Sequence, residues 1–403
     1  MKSKKNLLNI HALAAMFVLF CGNIVFAQIK FEHSTFAEIK AKAKAQHKLI
    51  FMDAYTSWCG PCKWMAANIF TNDTVARYYN ATYVNAKIDM EVGEGKDIAK
   101  QYNINVYPSL LFIDENGELL HRAAGSRKAI DFIDLGKDAQ IPEKQFATVE
   151  KKYKNGQRDA QFMITYLNQL ANVALPIEEP LTEYLRTQKE QDLSNRTNWN
   201  IIYNFLNDAH SKEFAYLLNN SDVFTSKYTA DSVNDKIFEV YSNACNRSIY
   251  SRKADSADYL PLKEEIKKMN FARKEELLLS TDMNYYQRKK DYENFAKVAA
   301  PYIDKYKSND EGMLNNIAYE FYMNVKDKTM LAKAEQWAKK CYELNPHPEF
   351  SMDSYACLLS VNDKKQEAVK LEKQAIELIK ADPKKYNQEA IPDMEKKIAD
   401  WSK

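Results

Sequence analysis

Trp58-Cys59-Gly60-Pro61-Cys62-Lys63 joins two segments of different habit. Before it runs Leu49-Ile50-Phe51-Met52-Asp53-Ala54, mostly apolar and of a length that suits a buried strand. After it comes Met65-Ala66-Ala67-Asn68-Ile69-Phe70, which reads as helix. Pro61 falls in the first helical turn, where a missing N–H costs nothing. Cys59 is therefore expected at the mouth of a helix, facing unpaired backbone N–H groups and the positive end of the dipole. Both favour thiolate over thiol.

Two residues between the cysteines suit a dithiol that closes to a small disulfide ring. Cys59, at the start of the turn, is expected to be the exposed attacker, and Cys62, one turn in, the covered partner. A structural disulfide and half of a zinc site are the alternatives. A zinc site wants a second close pair of Cys or His, and none of the other cysteines is paired at short spacing.

The hexapeptide resembles the signature of the thioredoxin family, and the resemblance extends to other residues. Asp53 stands six positions before Cys59, at the spacing of that family's buried acid. Tyr107-Pro108-Ser109 is similar to the family's loop whose proline is cis and sits against the dithiol. Asn116-Gly117 and Gly125-Ser126 fall where the family has its last hairpin and the turn into its final helix. The resemblance spans about residues 30–140, roughly a quarter of the chain. It implies an α/β domain, a mixed central sheet with flanking helices, and thiol-disulfide exchange on protein thiols and disulfides. Cys59 is then the nucleophile, Cys62 the resolving thiol and Asp53 the acid that takes its proton; Trp58, Gly60, Pro61, Tyr107 and Pro108 shape the docking edge. The dithiol is the redox group, so no dissociable cofactor and no metal are expected. Tyr107 replaces the aliphatic residue or Thr usual in bacterial members, so partner choice does not carry over. The Gly-Pro pair resembles the strongly reducing members and favours a reductase over an isomerase or oxidase.

Asp53 could be merely a polar residue at a strand end, but its strand leads straight into the dithiol. Burial would raise its pKa and let it accept a proton near neutrality. Lys87, on an adjoining strand, is a candidate cationic neighbour.

Residues 1–27 read as a secretion signal. Lys2, Lys4 and Lys5 form the positive end, Ala12 to Phe20 the apolar core, and Val25-Phe26-Ala27 a cleavage site. A lipid anchor through Cys21 is disfavoured because bulky Phe20 stands where a small residue is wanted. The expected location is an oxidising, periplasmic space, where reduction needs a membrane thiol electron donor. The whole chain has 57 basic and 55 acidic residues; without the three leader lysines, 54 face 55. That balance offers no electrostatic case for nucleic acid or an anionic membrane.

Between the leader and residue 141 the expected elements alternate. Thr35-Phe36-Ala37-Glu38 forms a capping box for a helix to His47, and Asn72 caps another through Tyr79. Residues 81–89 alternate as a strand, and Lys96–Tyr102 suits a short helix. Strands Ser109–Asp114 and Glu118–Ala124 flank the Asn116-Gly117 turn, and Ser126 is expected to cap a last helix to Ala139.

Past Ile141-Pro142 the habit changes. Only Gly156 and Gly312 occur from there on, and amphipathic helical patterns replace strand alternation. The expected domains are 28–141, α/β, and 142–403, all helical. At about 310–385 a repeat is visible. Ala318 and Ala356 are 38 positions apart, Ala334 and Ala368 are 34 apart, and each pair of helices ends near Pro346 or Pro383. Small residues at helix crossings at this period resemble tetratricopeptide repeats, which implies a face for a protein partner. Helical packing without a ligand is the plainer alternative.

Cys245, Cys341 and Cys357 are an odd number without recognisable spacing and read as buried inert thiols. His33, His47, His121, His210 and His347 are scattered and carry no assigned role. A second class of function stays open: a helical scaffold whose α/β domain serves only for docking. An intact dithiol together with Asp53 and Pro108 argues against it.

Overall fold

The computed structural model describes residues 28–251 and 259–403. The leader and Cys21 lie outside the described residues. The chain divides into two compact units, one running to Lys189 with Arg196–Ile201, the other Glu190–Asn195 with Ile202–Lys403.

The first unit is built on a five-stranded sheet in the order β1-β3-β2-β4-β5. Its strands are β1 (Phe31–Glu32), β2 (Ile50–Tyr55), β3 (Val84–Asp89), β4 (Ser109–Ile113) and β5 (Leu119–Ala124). β1 and β2 run parallel to β3, while β4 is antiparallel to both β2 and β5. The sheet is therefore mixed, as expected. β1, only two residues long, is too short to show as a pattern in the sequence.

Strand alternation sorts the core onto two faces. Ile50, Met52 and Ala54 of β2 pack with α1 (Phe36–Gln46). Phe51 of the same strand points the other way. It packs with α2 (Gly60–Asn68), α3 (Asp73–Thr82) and later α5 (Ala129–Ala139), through Met65, Tyr79 and Phe132. Between these last two, α4 (Gly95–Gln101) joins the α1 face through Ile98. Phe51 and Met65 are fully buried, each contributing about 1.5–3 kcal/mol of transfer free energy. Asp53, two residues from Phe51, therefore shares the face that α2 covers.

The capping box at Thr35 and Glu38 is present, and Asn72 caps α3. α3 runs to Thr82, three residues beyond the expected end at Tyr79, so β3 begins at Val84 rather than at residue 81. Ser126 does not cap α5. Gly125 turns the chain at φ +80°, residues 126–128 are not yet helical, and the helix starts at Ala129 after extended Lys128.

Three further helices, α6 (Phe146–Lys154), α7 (Ala160–Asn172) and α8 (Glu178–Arg186), fall in the same compact unit as the sheet. α6 packs on β5, where the Phe146 N–H donates to His121 Nδ1 at 3.1 Å. Burial holds the His121 imidazole down at a pKa of about 4, so it stays neutral and able to accept that bond.

The chain continues through α9 (Arg196–Phe205), α10 (Lys212–Asn219), α11 (Ser221–Lys227) and α12 (Ala230–Tyr250). It ends with α13 (Tyr259–Lys268), α14 (Lys274–Lys289), α15 (Tyr292–Tyr306), α16 (Glu311–Asn324), α17 (Lys328–Leu344), α18 (Asp353–Val361), α19 (Lys365–Ala381) and α20 (Ile391–Trp401). α14 packs on α15, α16 on α17 and α18 on α19, as successive helical hairpins. Ala318, Ala334, Ala356 and Ala368 are fully buried, which lets their helices approach closely. Cys245, Cys341 and Cys357 are free and buried, the thiols held above their usual pKa mainly by that burial. Among the described residues no helix is long and apolar enough to cross a membrane.

Candidate functional site: a disulfide at a helix mouth

Cys59 and Cys62 are joined as a disulfide with Cα atoms 5.3 Å apart. Cys59 is the N-cap of α2, and Pro61 lies in its first turn. The Cys62 backbone N–H donates to Cys59 Sγ at 3.1 Å. The sulfur thus occupies the position a Ser or Asp oxygen takes at other helix starts. A thiolate at that atom would meet both this N–H and the positive end of the helix.

Exposure does not separate the two cysteines. Cys59 is 3 % exposed and Cys62 2 %, contrary to the expectation of an exposed attacker. A Cβ added at Gly60 would meet nothing within 4 Å, so the space beside the disulfide is open there.

Asp53 stands on β2 directly opposite Lys87 on β3. Its carboxylate is 1 % exposed, and Lys87 Nζ lies 3.2 Å from Oδ2. That is close enough for an ion pair but off the direction of a good hydrogen bond; neither carboxylate oxygen has a hydrogen-bond partner. Burial pushes the Asp53 pKa up to about 6, and the Lys87 charge opposes the rise without cancelling it. The ammonium itself is lodged among rings, 4.7 Å from the centroid of Tyr55, 5.2 Å from Phe70 and 5.8 Å from Phe31. Thr56 Oγ1 is also buried without a partner, while its carbonyl accepts the Cys59 N–H at 3.2 Å. Unsatisfied polar atoms this close in sequence to a disulfide mark a site kept for chemistry rather than stability.

Trp58 is 64 % exposed, yet it is held. Its indole N–H donates to both Glu91 carboxylate oxygens at 3.0 and 3.1 Å, and its ring meets Tyr107 edge-on at 6.0 Å. The Tyr107–Pro108 bond is cis, and the Pro108 carbonyl accepts from Gly125 N–H at 2.8 Å. Glu91 went unnoticed in the sequence. Its loop is folded tightly onto the end of β3, with the Glu91 N–H on Asp89 Oδ1 at 2.9 Å. A Cβ at Gly95 would fall 1.9 Å from the Asp89 carbonyl oxygen, so only glycine closes this loop. Gly93 and Gly95, which follow Glu91 closely and mark a tight loop, were the available signal.

The sheet, the helix opened by Cys-Gly-Pro-Cys and the acid on the preceding strand define a thiol-disulfide exchange protein. The thioredoxin family model matches residues 28–135. Thioredoxin H4 of Arabidopsis thaliana is 36% identical over 87 residues, which cover 22% of this chain and 68% of that protein. This chain belongs to the thioredoxin family. Thioredoxin-T of Drosophila melanogaster is 36% identical over 81 residues, 20% of this chain and 48% of its own. A putative disulphide-isomerase from Bacteroides thetaiotaomicron, solved in solution, is 38% identical; the match covers 28% of this chain and 95% of that one, with a TM-score of 0.27. The chain spans about half to two-thirds of the length of the curated relatives it matches first (48%, 66% and 65%).

Proposed function

We propose that the protein is an exported thiol-disulfide oxidoreductase that reduces, or isomerises, disulfides in protein clients of the periplasm. In the reducing direction the Cys59 thiolate attacks one sulfur of a client disulfide. A mixed disulfide forms and the client's other sulfur leaves as a thiolate. Cys62 then loses its proton to Asp53 and attacks Cys59 Sγ, which frees the second client thiolate and closes the Cys59–Cys62 disulfide. Two electrons pass to the client, and a membrane dithiol carrier restores the pair. The dithiol is the redox group, so the cycle needs no dissociable cofactor.

The observation that carries this reading is the buried Asp53 carboxylate, facing Lys87 but without a hydrogen bond and with its pKa near 6, on the strand that opens into the disulfide. A carboxylate that titrates there can hold the resolving proton at neutral pH. Trp58, Tyr107 and Pro108 supply the edge on which a client rests, with Gly60 and Pro61 giving it room. The helical unit, with repeats of the tetratricopeptide kind, selects or holds the client.

The reduction potential of Cys59/Cys62 tests the direction. A value near the thioredoxin one of about −270 mV supports a reductase, and one above about −180 mV an isomerase or oxidant.

A further inference from the structure

β2 ends at Tyr55 and α2 begins at Gly60. The residues between them close a turn, with the Cys59 N–H on the Thr56 carbonyl at 3.2 Å. Thr56 opens that turn and is 1 % exposed, and its hydroxyl has no hydrogen-bond partner among the described residues. Asp53 lies on the face of β2 that α2 covers, and Cys62 and Met65 are the residues that α2 buries. Hydroxyl, carboxylate and resolving sulfur thus belong to one junction, where the strand gives way to the helix.

A buried hydroxyl without a partner costs stability, and valine, of the same shape, is free of that cost. The two Asp53 oxygens carry a similar cost, because they face Lys87 but accept no hydrogen bond. In this structure Cys59 and Cys62 are bonded to each other, so neither sulfur has a proton to give. Reduction changes what the junction offers. Cys62 then brings an S–H donor and Asp53 remains an acceptor. Of the three side chains, only the hydroxyl readily donates and accepts at once. Placed between the other two, it satisfies both.

We propose that the Thr56 hydroxyl relays the resolving proton from Cys62 to Asp53 in the reduced protein. As Cys62 Sγ gives its proton to Thr56 Oγ1, Oγ1 passes its own to an Asp53 oxygen. The hydroxyl is restored, the acid becomes neutral, and the Cys62 thiolate attacks Cys59 Sγ and displaces the client thiolate. This role rests on the reading of Asp53 as the acceptor of that proton.

The test mixes reduced full-length protein with excess insulin and quenches samples in acid. Mass spectrometry then separates the mixed disulfide on Cys59 from the closed Cys59–Cys62 ring. Thr56→Val should slow ring closure roughly tenfold or more with the first attack nearly unchanged, and Thr56→Ser should stay within about twofold of wild type. Thr56→Val combined with Asp53→Asn should be no slower than the slower single variant, because both act on one proton path. Ring closure at the wild-type rate in Thr56→Val, loss in Thr56→Ser equal to that in Thr56→Val, or effects that multiply in the double variant would overturn the relay. So would an oxidised Thr56→Val protein that melts below wild type, which would make Thr56 a structural residue. If Asp53→Asn slows closure and Thr56→Val does not, the relay alone fails; if Asp53→Asn has no effect, the reading of Asp53 fails with it.

Discussion

Asp53 and Lys87 face each other across β2 and β3 with 3.2 Å between Oδ2 and Nζ, yet the carboxylate keeps a pKa near 6. Desolvation outweighs the cation because Lys87 is shared with the rings of Tyr55, Phe70 and Phe31 and is partly exposed. A closer, better-aligned pair would have pulled the acid below its ordinary range and made it useless as a proton acceptor at neutral pH.

Asp53→Asn should make the oxidised protein more stable and a poorer enzyme. The folded protein holds the Asp53 proton more tightly than the unfolded chain, with a pKa of about 6 against 3.8. Ionisation therefore costs the folded state, stability falls as pH rises through that window, and the full cost is present above about pH 6. Removing it should gain on the order of 1–3 kcal/mol at pH 7, and nothing below about pH 4. Urea unfolding at pH 7 and pH 4 measures this. Stopped-flow exchange should show the resolving step slowed at least tenfold with the first attack nearly unchanged.

Lys87→Met keeps the stem among the rings and removes the charge that opposes the rise. The Asp53 pKa should move above 6, and the pH profile of the resolving step should shift upward with it. Carboxyl carbon NMR of Asp53 checks the first and pH-jump kinetics the second. An unchanged Asp53 titration would mean that the ion pair exerts no influence.

Glu91→Ala releases the Trp58 indole from its only hydrogen-bond acceptors on that loop. The ring should then sample other orientations against Tyr107. Reduction of a protein substrate should suffer several-fold, mainly in KM, while reaction with a small aromatic disulfide stays as in wild type. Equal loss with both substrates would mean that Glu91 acts on the dithiol rather than on docking.

Much of this arrangement was legible in the sequence. The short apolar run Leu49–Ala54 and the hairpin turn at Asn116-Gly117 revealed the central strands, and Thr35 with Glu38 and Asn72 marked helix starts. Cys59, Cys62, Asp53 and the Tyr107-Pro108 loop carried motif spacing. What stayed hidden depends on distant partners. Glu91 matters only because a tight loop brings it to Trp58, and β1 is held by its neighbour rather than by its own pattern. The shift in composition at Ile141-Pro142 marks where strands end. It does not reveal that α6 to α8 stay with the sheet, because that depends on single contacts such as Phe146 with His121.

The second unit holds its own pH-sensitive group. Glu372 on α19 is fully buried with neither oxygen in a hydrogen bond, and burial and the neighbouring Asp353 hold its carboxyl well above the usual range. From α20, Lys397 pairs with Asp353 at 2.7 Å and with Asp393 at 3.0 Å; from α18, the Cys357 thiol faces Asp353 at 3.8 Å. A raised carboxyl pKa means that the folded state binds the extra proton, so this unit should lose stability as pH rises above the ordinary 4.5. Glu372→Gln should flatten that slope, as seen by thermal unfolding between pH 5 and pH 9.

The most direct test is to trap the covalent intermediate. Cys62→Ser leaves Cys59 able to attack but removes the thiol that releases the client, so mixed disulfides should accumulate through Cys59 and vanish on adding reductant. Cys59→Ser should trap nothing. Mass spectrometry of non-reduced complexes reads both variants. Clients linked through Cys59 in Cys62→Ser alone are the predicted result; equal trapping by Cys59→Ser, or partners that co-purify without a covalent bond and regardless of either cysteine, would contradict the account.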